Sequence, residues 1–111
     1  MAKEKEHTDQ IFSALADRSR RKVVEILHEK DASILELTES FSMSFQALSK
    51  HIKILESAGI VHKKKQGKFV ICSLDHATLK KSLKWISYYS NFWNESFNKL
   101  DGLIKKEKDG K

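Results

Sequence analysis

The chain has 111 residues, 40% of them hydrophobic and 32% charged, and its formal net charge of +6 suits a polyanionic partner. This length corresponds to a single small domain, and the lone Cys72 excludes an internal disulfide. Because the N-terminus does not resemble a signal peptide and no apolar run approaches the roughly 18 residues of a membrane span, we expect a cytoplasmic protein without a membrane segment.

Residues 1–7 are charged and are predicted to form a flexible terminus ahead of one domain that spans residues 8–111. Thr8 or Asp9 is placed to cap a first helix, which has one compact apolar face. The members of that face are Ile11, Phe12, Leu15 and Ala16. The pattern therefore predicts a short amphipathic helix.

A second helix is predicted to begin at Asp17, with Val23, Val24 and Leu27 facing inward. Its first turns carry a basic cluster, which consists of Arg18, Arg20, Arg21 and Lys22. Such a cluster is either a solvated face or a contact for phosphate groups, and the sequence leaves both interpretations open.

The third helix begins at a capping box, because Ser33 is followed three positions later by Glu36. Ile34, Leu37 and Phe41 form its buried side. Residues 40–43 are the predicted turn before a fourth helix. Two helices joined by so short a link are typical of a helix-turn-helix unit.

The fourth helix is capped by Ser44 and has two chemically different faces. Apolar residues recur at helical spacing on one face, at Phe45, Leu48, Ile52 and Leu55. Gln46, Lys50 and Lys53 fall on the other side. One face is therefore predicted to pack, while the other offers hydrogen-bond donors.

A basic hairpin is predicted after Gly59, which tolerates positive φ and ends the fourth helix. Two short apolar runs, 60–61 and 68–74, flank the basic segment 64–67. Residues 69–72 are all apolar, which favours cover on both faces of that strand. A polar-faced helix followed by a basic hairpin is the layout of a winged helix-turn-helix, whose helix enters the DNA major groove while the hairpin reaches the neighbouring backbone.

The last helix is capped by Asp75 and is predicted to run to about Lys108. Apolar residues recur along it with the spacing of a coiled-coil seam, at Leu79, Leu83, Ile86, Trp93, Phe97, Leu100 and Ile104. Additional aromatic residues lie outside the seam, at Trp85, Tyr88, Tyr89 and Phe92. Packing on its own domain accounts for the seam but not for these aromatics, so we expect a second copy of the chain in a homodimer.

Several segments together resemble the ArsR/SmtB family of small bacterial repressors. Residues 14–21 are similar to the family's Ala-Leu-Ala-Asp-Pro-Thr-Arg-Arg signature, with Arg18 in place of the proline. The other matching pieces are Ser44, Ser49-Lys50-His51, Leu55-Glu56, Ala58-Gly59-Ile60-Val61 and Gln66-Gly67-Lys68-Phe69-Val70. The resemblance implies a mainly α fold with a small β-hairpin, which is a winged helix-turn-helix with a long C-terminal dimerisation helix.

By this resemblance the protein is a sequence-specific transcriptional repressor that binds double-stranded DNA at a near-palindromic operator. The residues expected at base edges or adjacent phosphates are Ser44, Phe45, Gln46, Ser49 and Lys50. Those expected mainly on the DNA backbone are His51, Lys53, Lys64, Lys65 and Lys68. Phe45 either packs inward or touches a thymine methyl group. The alternative is a winged-helix protein-interaction module without DNA binding, which would have no reason to keep the donor face and the basic wing together.

The first and last helices form the dimer in this family, and both have apolar faces here. The residues expected at the dimer interface are Ile11, Phe12, Leu15, Trp85, Tyr89, Phe92, Trp93, Phe97 and Leu100. The sequence leaves open whether repression is relieved through protein concentration, by a protein partner or by a small molecule.

The family's metal ligands are missing from this sequence. Its cysteine pair would align with Ser33 and Leu35, and its alternative site needs a further histidine after His76 on the last helix. His7 and His28 have no suitably spaced partners and are expected at the surface. No nucleophile pair or Gly-rich phosphate loop occurs. We therefore expect neither a metal, nor another cofactor, nor an enzymatic activity.

Overall fold

The structure, a computed structural model, describes the backbone of residues 2–109 and the side chains of residues 6–88, 94–96 and 98–102. Five helices and three strands follow one another along residues 2–109. They are α1 Ala2–Leu15, α2 Arg18–Glu29, β1 Ala32–Ser33, α3 Ile34–Thr38, α4 Phe45–Ser57, β2 Val61–Gln66, β3 Phe69–Leu74 and α5 His76–Asp109. The predicted mainly α fold with a β-hairpin wing is confirmed. None of the described helices is long and apolar enough to cross a membrane.

Side-chain caps set the starts of the middle helices, as the sequence predicts. The Asp17 carboxylate accepts a hydrogen bond from the Arg20 amide at the start of α2. Ser33 and Glu36 each accept from the other's backbone amide, which completes the predicted capping box of α3. Ser44 Oγ accepts from the Ala47 amide at 3.1 Å. Each bond satisfies a backbone donor that the first helical turn leaves unpaired.

The first helix begins earlier than predicted. It starts at Ala2 rather than after Thr8 or Asp9, and it includes residues for which a flexible terminus is expected. His7 is half-buried instead of being on the surface, and its Nε2 donates to the Ala58 carbonyl oxygen at 2.9 Å. This contact ties the first helix to the C-terminal end of α4, a long-range interaction that local sequence does not reveal.

The sheet has one strand more than the sequence predicts. The two-residue β1 pairs with β3, which lies between β1 and β2. Cys72 is consequently central and fully buried, whereas Phe69 near the hairpin turn is 44% exposed. The predicted cover on both faces of β3 is therefore wrong at the tip, where Gln66, Gly67 and Lys68 are exposed as well. Gly67 has a φ of +61° there, a conformation that glycine adopts without a steric penalty.

The core is built around α4. Leu48, Ile52 and Leu55 are fully buried among side chains from the other elements of the domain. Phe45 does not belong to this stripe, since it is 46% exposed. Ile11 is also fully buried in its own chain, so its prediction as a dimer-interface residue is wrong. The helical spacing identified its apolar face correctly, but the core of the same subunit covers that position.

The last helix begins on the domain and extends beyond it. With 34 residues it is about 51 Å long at 1.5 Å per residue. Its first turns face the domain with the small side chains of Thr78 and Ser82, both buried. Leu83 is 59% exposed and Ile86 is 46% exposed. The α5 surface beside these first turns is therefore apolar and uncovered within a single chain.

Candidate nucleic-acid interface

The exposed face of α4 presents a row of donors. Gln46, Lys50 and Lys53 are all exposed and lie within about 60° of one another around the helix axis. The burial of Leu48 and Ile52 fixes the rotation of the helix, and so keeps these donors directed away from the core. A helix with such a face has the shape and chemistry to read base edges in a major groove.

Polar and apolar groups adjoin at the N-terminal end of α4. Ser44 is exposed while its Oγ caps the helix, and Ser49 one turn further on is half-buried. The exposed ring of Phe45 lines a cavity of about 480 Å³ together with Leu35 and Phe69. The sequence left open whether this ring packs inward or lies at the surface, and the structure has it at the surface. The exposed Phe45 ring therefore offers an apolar contact beside the donors of α4, and such a contact suits a thymine methyl group.

The basic residues of the wing divide into paired and unpaired cations. Lys63 Nζ lies 3.1 Å from Glu56 Oε1, so this charge is matched within the domain. Lys64, Lys65 and Lys68 are exposed and have no acidic partner among the described side chains. These three lysines, called the wing lysines below, remain available for phosphate oxygens.

His51 is held in a defined orientation by α2. Arg20 Nη1 lies 3.2 Å from His51 Nδ1, and because a guanidinium group only donates, Nδ1 must accept. The imidazole proton is therefore on Nε2. Arg20 Nε also donates to the Ala14 carbonyl oxygen at 2.7 Å, which connects the C-terminal end of α1 to α4. The sequence placed Arg20 in a basic cluster and did not reveal these contacts, in which the half-buried side chain joins α2 to α1 and α4.

Asp17 completes the surroundings of His51. Its carboxylate Oδ1 lies 3.8 Å from His51 Nδ1. The hydrogen bond from the Arg20 backbone amide, followed by the positive charge of the Arg20 guanidinium, lowers the pKa of Asp17. The carboxylate therefore stays ionised at neutral pH, and it balances the positive charge of Arg20 beside α4.

The described side chains include no group of three His, Cys, Asp or Glu residues arranged to hold a metal ion. Cys72 is fully buried, and this burial raises the pKa of its thiol to about 11. His62 Nε2 donates to Asp75 Oδ2 at 2.6 Å. His62 lies on β2 of the wing and Asp75 directly precedes α5, so this hydrogen bond joins the wing to the start of α5.

The predicted residues fall into two surfaces. All ten residues expected on DNA lie on α4, its cap or the wing, and all are exposed except Ser49 and His51, which are half-buried. Of the residues expected at the dimer interface, Phe12 and Leu15 are half-buried while Trp85 and Leu100 are exposed. The Phe12 and Trp85 rings meet edge to face with centroids 5.3 Å apart. The remaining side chains of that set lie outside the described residues, and they are Tyr89, Phe92, Trp93 and Phe97.

Comparison with known proteins identifies transcription regulators with a similar sequence and fold. Residues 15–64 match a family model described as a helix-turn-helix domain. The chain is 31% identical over 90 residues to the transcriptional repressor SdpR of Bacillus subtilis, covering 81% of this chain and 97% of that protein. It is 31% identical over 104 residues to the HTH-type transcriptional regulator Rv2034 of Mycobacterium tuberculosis, covering 91% and 92% respectively. The crystal structure of an ArsR family transcriptional regulator superposes with a TM-score of 0.75 at 31% identity, covering 81% of this chain and 93% of that chain.

Proposed function

Since this chain belongs to the ArsR family of winged helix-turn-helix transcription regulators, we propose that it is a repressor that binds double-stranded DNA as a homodimer. The observation that carries the proposal is the donor face of α4 next to the three wing lysines, which have no acidic partner among the described side chains. A recognition helix supplies base contacts, and unpaired cations on a neighbouring hairpin supply contacts to the DNA backbone.

Individual roles follow from the chemistry of each side chain. The carboxamide of Gln46 can both donate to and accept from an adenine edge, and Lys50 donates to guanine or to a phosphate. Phe45 supplies apolar contact for a thymine methyl group. His51 donates from Nε2 to a backbone phosphate, because Arg20 occupies Nδ1. Lys53 and the wing lysines contribute affinity that depends on salt more than on sequence.

A homodimer is supported by the uncovered surface of α5. Leu83 and Ile86 form an apolar stripe beside the half-buried Leu79, at the positions where the sequence has its seven-residue repeat. A second copy of the helix would cover this stripe. Two recognition helices related by a two-fold axis would then read two half-sites of a near-palindromic operator, about one helical turn of DNA apart.

Selection from a library of random duplexes with the purified full-length protein tests the function. We expect enrichment of a two-fold symmetric sequence with half-site centres separated by about 10 base pairs or a multiple of that spacing. A gel-shift titration of the enriched duplex against a scrambled duplex then measures specificity. Recovery of no preferred sequence, together with equal affinity for both duplexes, would contradict the proposal.

A further inference from the structure

A second basic surface lies outside the α4 face and the wing. Helix α2 and the turn that precedes α4 enclose an open cavity of about 830 Å³. Arg18, Arg21 and Lys22 contribute three positive charges to its lining, and Glu25 contributes one negative charge. Ser42, which has a hydroxyl group, lines it as well. Guanidinium groups and hydroxyl donors around a concave surface suit an anion such as phosphate.

The three cations differ in how far the protein already uses them. Lys22 Nζ donates to the Ser40 carbonyl oxygen at 2.5 Å and lies 4.8 Å from the centre of the Phe41 ring, so it holds the turn in place. Arg21 Nη1 donates to the Leu15 carbonyl oxygen at 2.8 Å, which leaves other donors of its guanidinium free. Arg18 is exposed and has no hydrogen bond or ion pair with any described side chain.

The position of the cavity relates it to the recognition helix. Ser42 and Met43 line it and are followed directly by Ser44, the N-cap of α4. A helix that enters a major groove with its N-terminal end brings the turn before it close to the phosphates at the edge of that groove. Arg18, which stands where the family signature has proline, therefore lies on the same side as the DNA-facing end of α4.

We propose that this cavity binds a phosphate of the DNA backbone outside the base pairs that α4 reads. The assignment rests on the proposed function. Arg18 and Arg21 donate to the phosphate oxygens, and Lys22 positions the turn that carries Ser42. The contact adds affinity without sequence preference, and it lengthens the DNA segment that the protein covers.

Replacement of Arg18 by alanine tests the site, because no described side chain depends on Arg18 for a contact. Lys30→Ala is the matched control, since Lys30 is exposed at the other end of α2, about 18 Å along the helix. Binding to the selected duplex is measured from about 50 to 200 mM salt for the wild type and both variants, with circular dichroism as a check on folding. We expect Arg18→Ala to reduce the slope of log K against log salt by about 1.8, which is about 0.9 for each of the two subunits, while Lys30→Ala keeps the wild-type slope.

Ethylation interference on the same duplex locates the contact. In the wild type, ethylation of a phosphate flanking the half-site should weaken binding, and in Arg18→Ala that position should lose its effect. An unchanged slope together with an unchanged interference pattern would overturn the phosphate site while leaving the proposed function intact. A wild-type protein that binds no duplex would overturn both. Inorganic phosphate that binds at Arg18 in the free protein, with no change in the DNA slope on mutation, would assign the site to a soluble anion and overturn the DNA contact.

Discussion

Lysines of the wing differ in their roles although they are adjacent, and so do two arginines of α2. Lys63 is paired with Glu56 at 3.1 Å, while Lys64 and Lys65 beside it have no such partner among the described side chains. Arg20 is held by carbonyl and imidazole groups, while Arg18 two positions earlier makes no such contact. The partner of a charge therefore decides whether it stabilises the fold or remains available to a phosphate.

The first prediction separates base contact from backbone contact. Lys50→Ala should weaken binding to the selected operator more than binding to a scrambled duplex, because Lys50 lies on the donor face of α4. Lys65→Ala should weaken both to a similar extent and reduce the salt slope by about 1.8, because each of the two subunits loses one phosphate contact worth about 0.9. Fluorescence anisotropy titrations over a salt series measure both effects. If Lys65→Ala leaves the affinity and the slope unchanged, the wing does not contact DNA.

Cys72 provides a second test at this scale. Because burial raises the pKa of its thiol to about 11, only roughly one molecule in 10,000 carries the thiolate at pH 7. We expect a thiol reagent to label the native protein far more slowly than the protein unfolded in urea. The rate of labelling, followed by mass spectrometry, measures this. Equally fast labelling in both states would show that the core does not cover the thiol.

At the scale of elements, Asp75 connects the wing to α5. Its Oδ1 accepts from the Thr78 amide at 2.9 Å, and its Oδ2 accepts from His62 Nε2 at 2.6 Å. The same carboxylate thus caps the helix proposed for dimerisation and holds one strand of the hairpin proposed to contact DNA. The Thr78 amide first, and then His62, lower the pKa of Asp75 below its usual 3.8.

Asp75→Ala should therefore destabilise the protein in a pH-dependent way. A carboxyl group whose pKa is lower in the folded state stabilises that state above the unfolded pKa, and this contribution is lost as the pH falls through the lowered pKa. We expect a loss of about 1 kcal/mol in the free energy of unfolding at pH 7, as for other N-caps. The difference from the wild type should narrow below about pH 3.8.

Urea unfolding followed by circular dichroism at a fixed protein concentration measures this difference. Asp31→Ala is the control, because Asp31 is exposed and forms no helix cap or ion pair within the described part of the chain. A difference between Asp75→Ala and the wild type that stays constant down to pH 3 would contradict the role of the charged cap.

The whole molecule is too extended to be one compact unit. Its radius of gyration is 19.3 Å, compared with about 13 Å for a compact chain of this length. The difference is due to α5, because its 34 residues extend beyond the domain. Its apolar residues Leu83, Ile86 and Leu100 are exposed. Exposed apolar surface of this kind marks an interaction site, and a second copy with the same stripe is its simplest partner.

Leu83→Glu should convert the proposed dimer into a folded monomer. Because Leu83 is 59% exposed in the single chain, a charge there disturbs the interface and not the core. Sedimentation at micromolar concentration should show the monomer mass, circular dichroism should keep most of the helical signal, and tight operator binding should be lost. Lys84→Glu is the control, since Lys84 lies about 100° around the helix from Leu83 and is exposed. A Leu83→Glu variant that stays dimeric, or a wild type that is monomeric, would contradict the two-half-site arrangement.

The sequence predicts most of the elements, though not β1 or the start of α1, because the signals of the others are local. The caps at Asp17, Ser33 and Ser44 act within one helical turn, and the spacing of Leu48, Ile52 and Leu55 identified the buried face of α4. The same periodicity placed the donors Gln46, Lys50 and Lys53 together on the opposite face, where the structure also has them. Gly67 marked the turn of the wing for the same local reason.

Tertiary structure alone decided which side chains meet across elements. The Arg20–His51 contact joins residues 31 positions apart, and His7 reaches Ala58 across 51 positions. Pairing with β3 made a strand of Ala32–Ser33, which is too short to have a periodic signal. Ile11 and Phe12 are adjacent in an apolar pattern, yet one is enclosed by the core and the other meets Trp85 at the surface. Such distinctions depend on which distant segments come together in three dimensions, and periodicity within one helix carries no information about that.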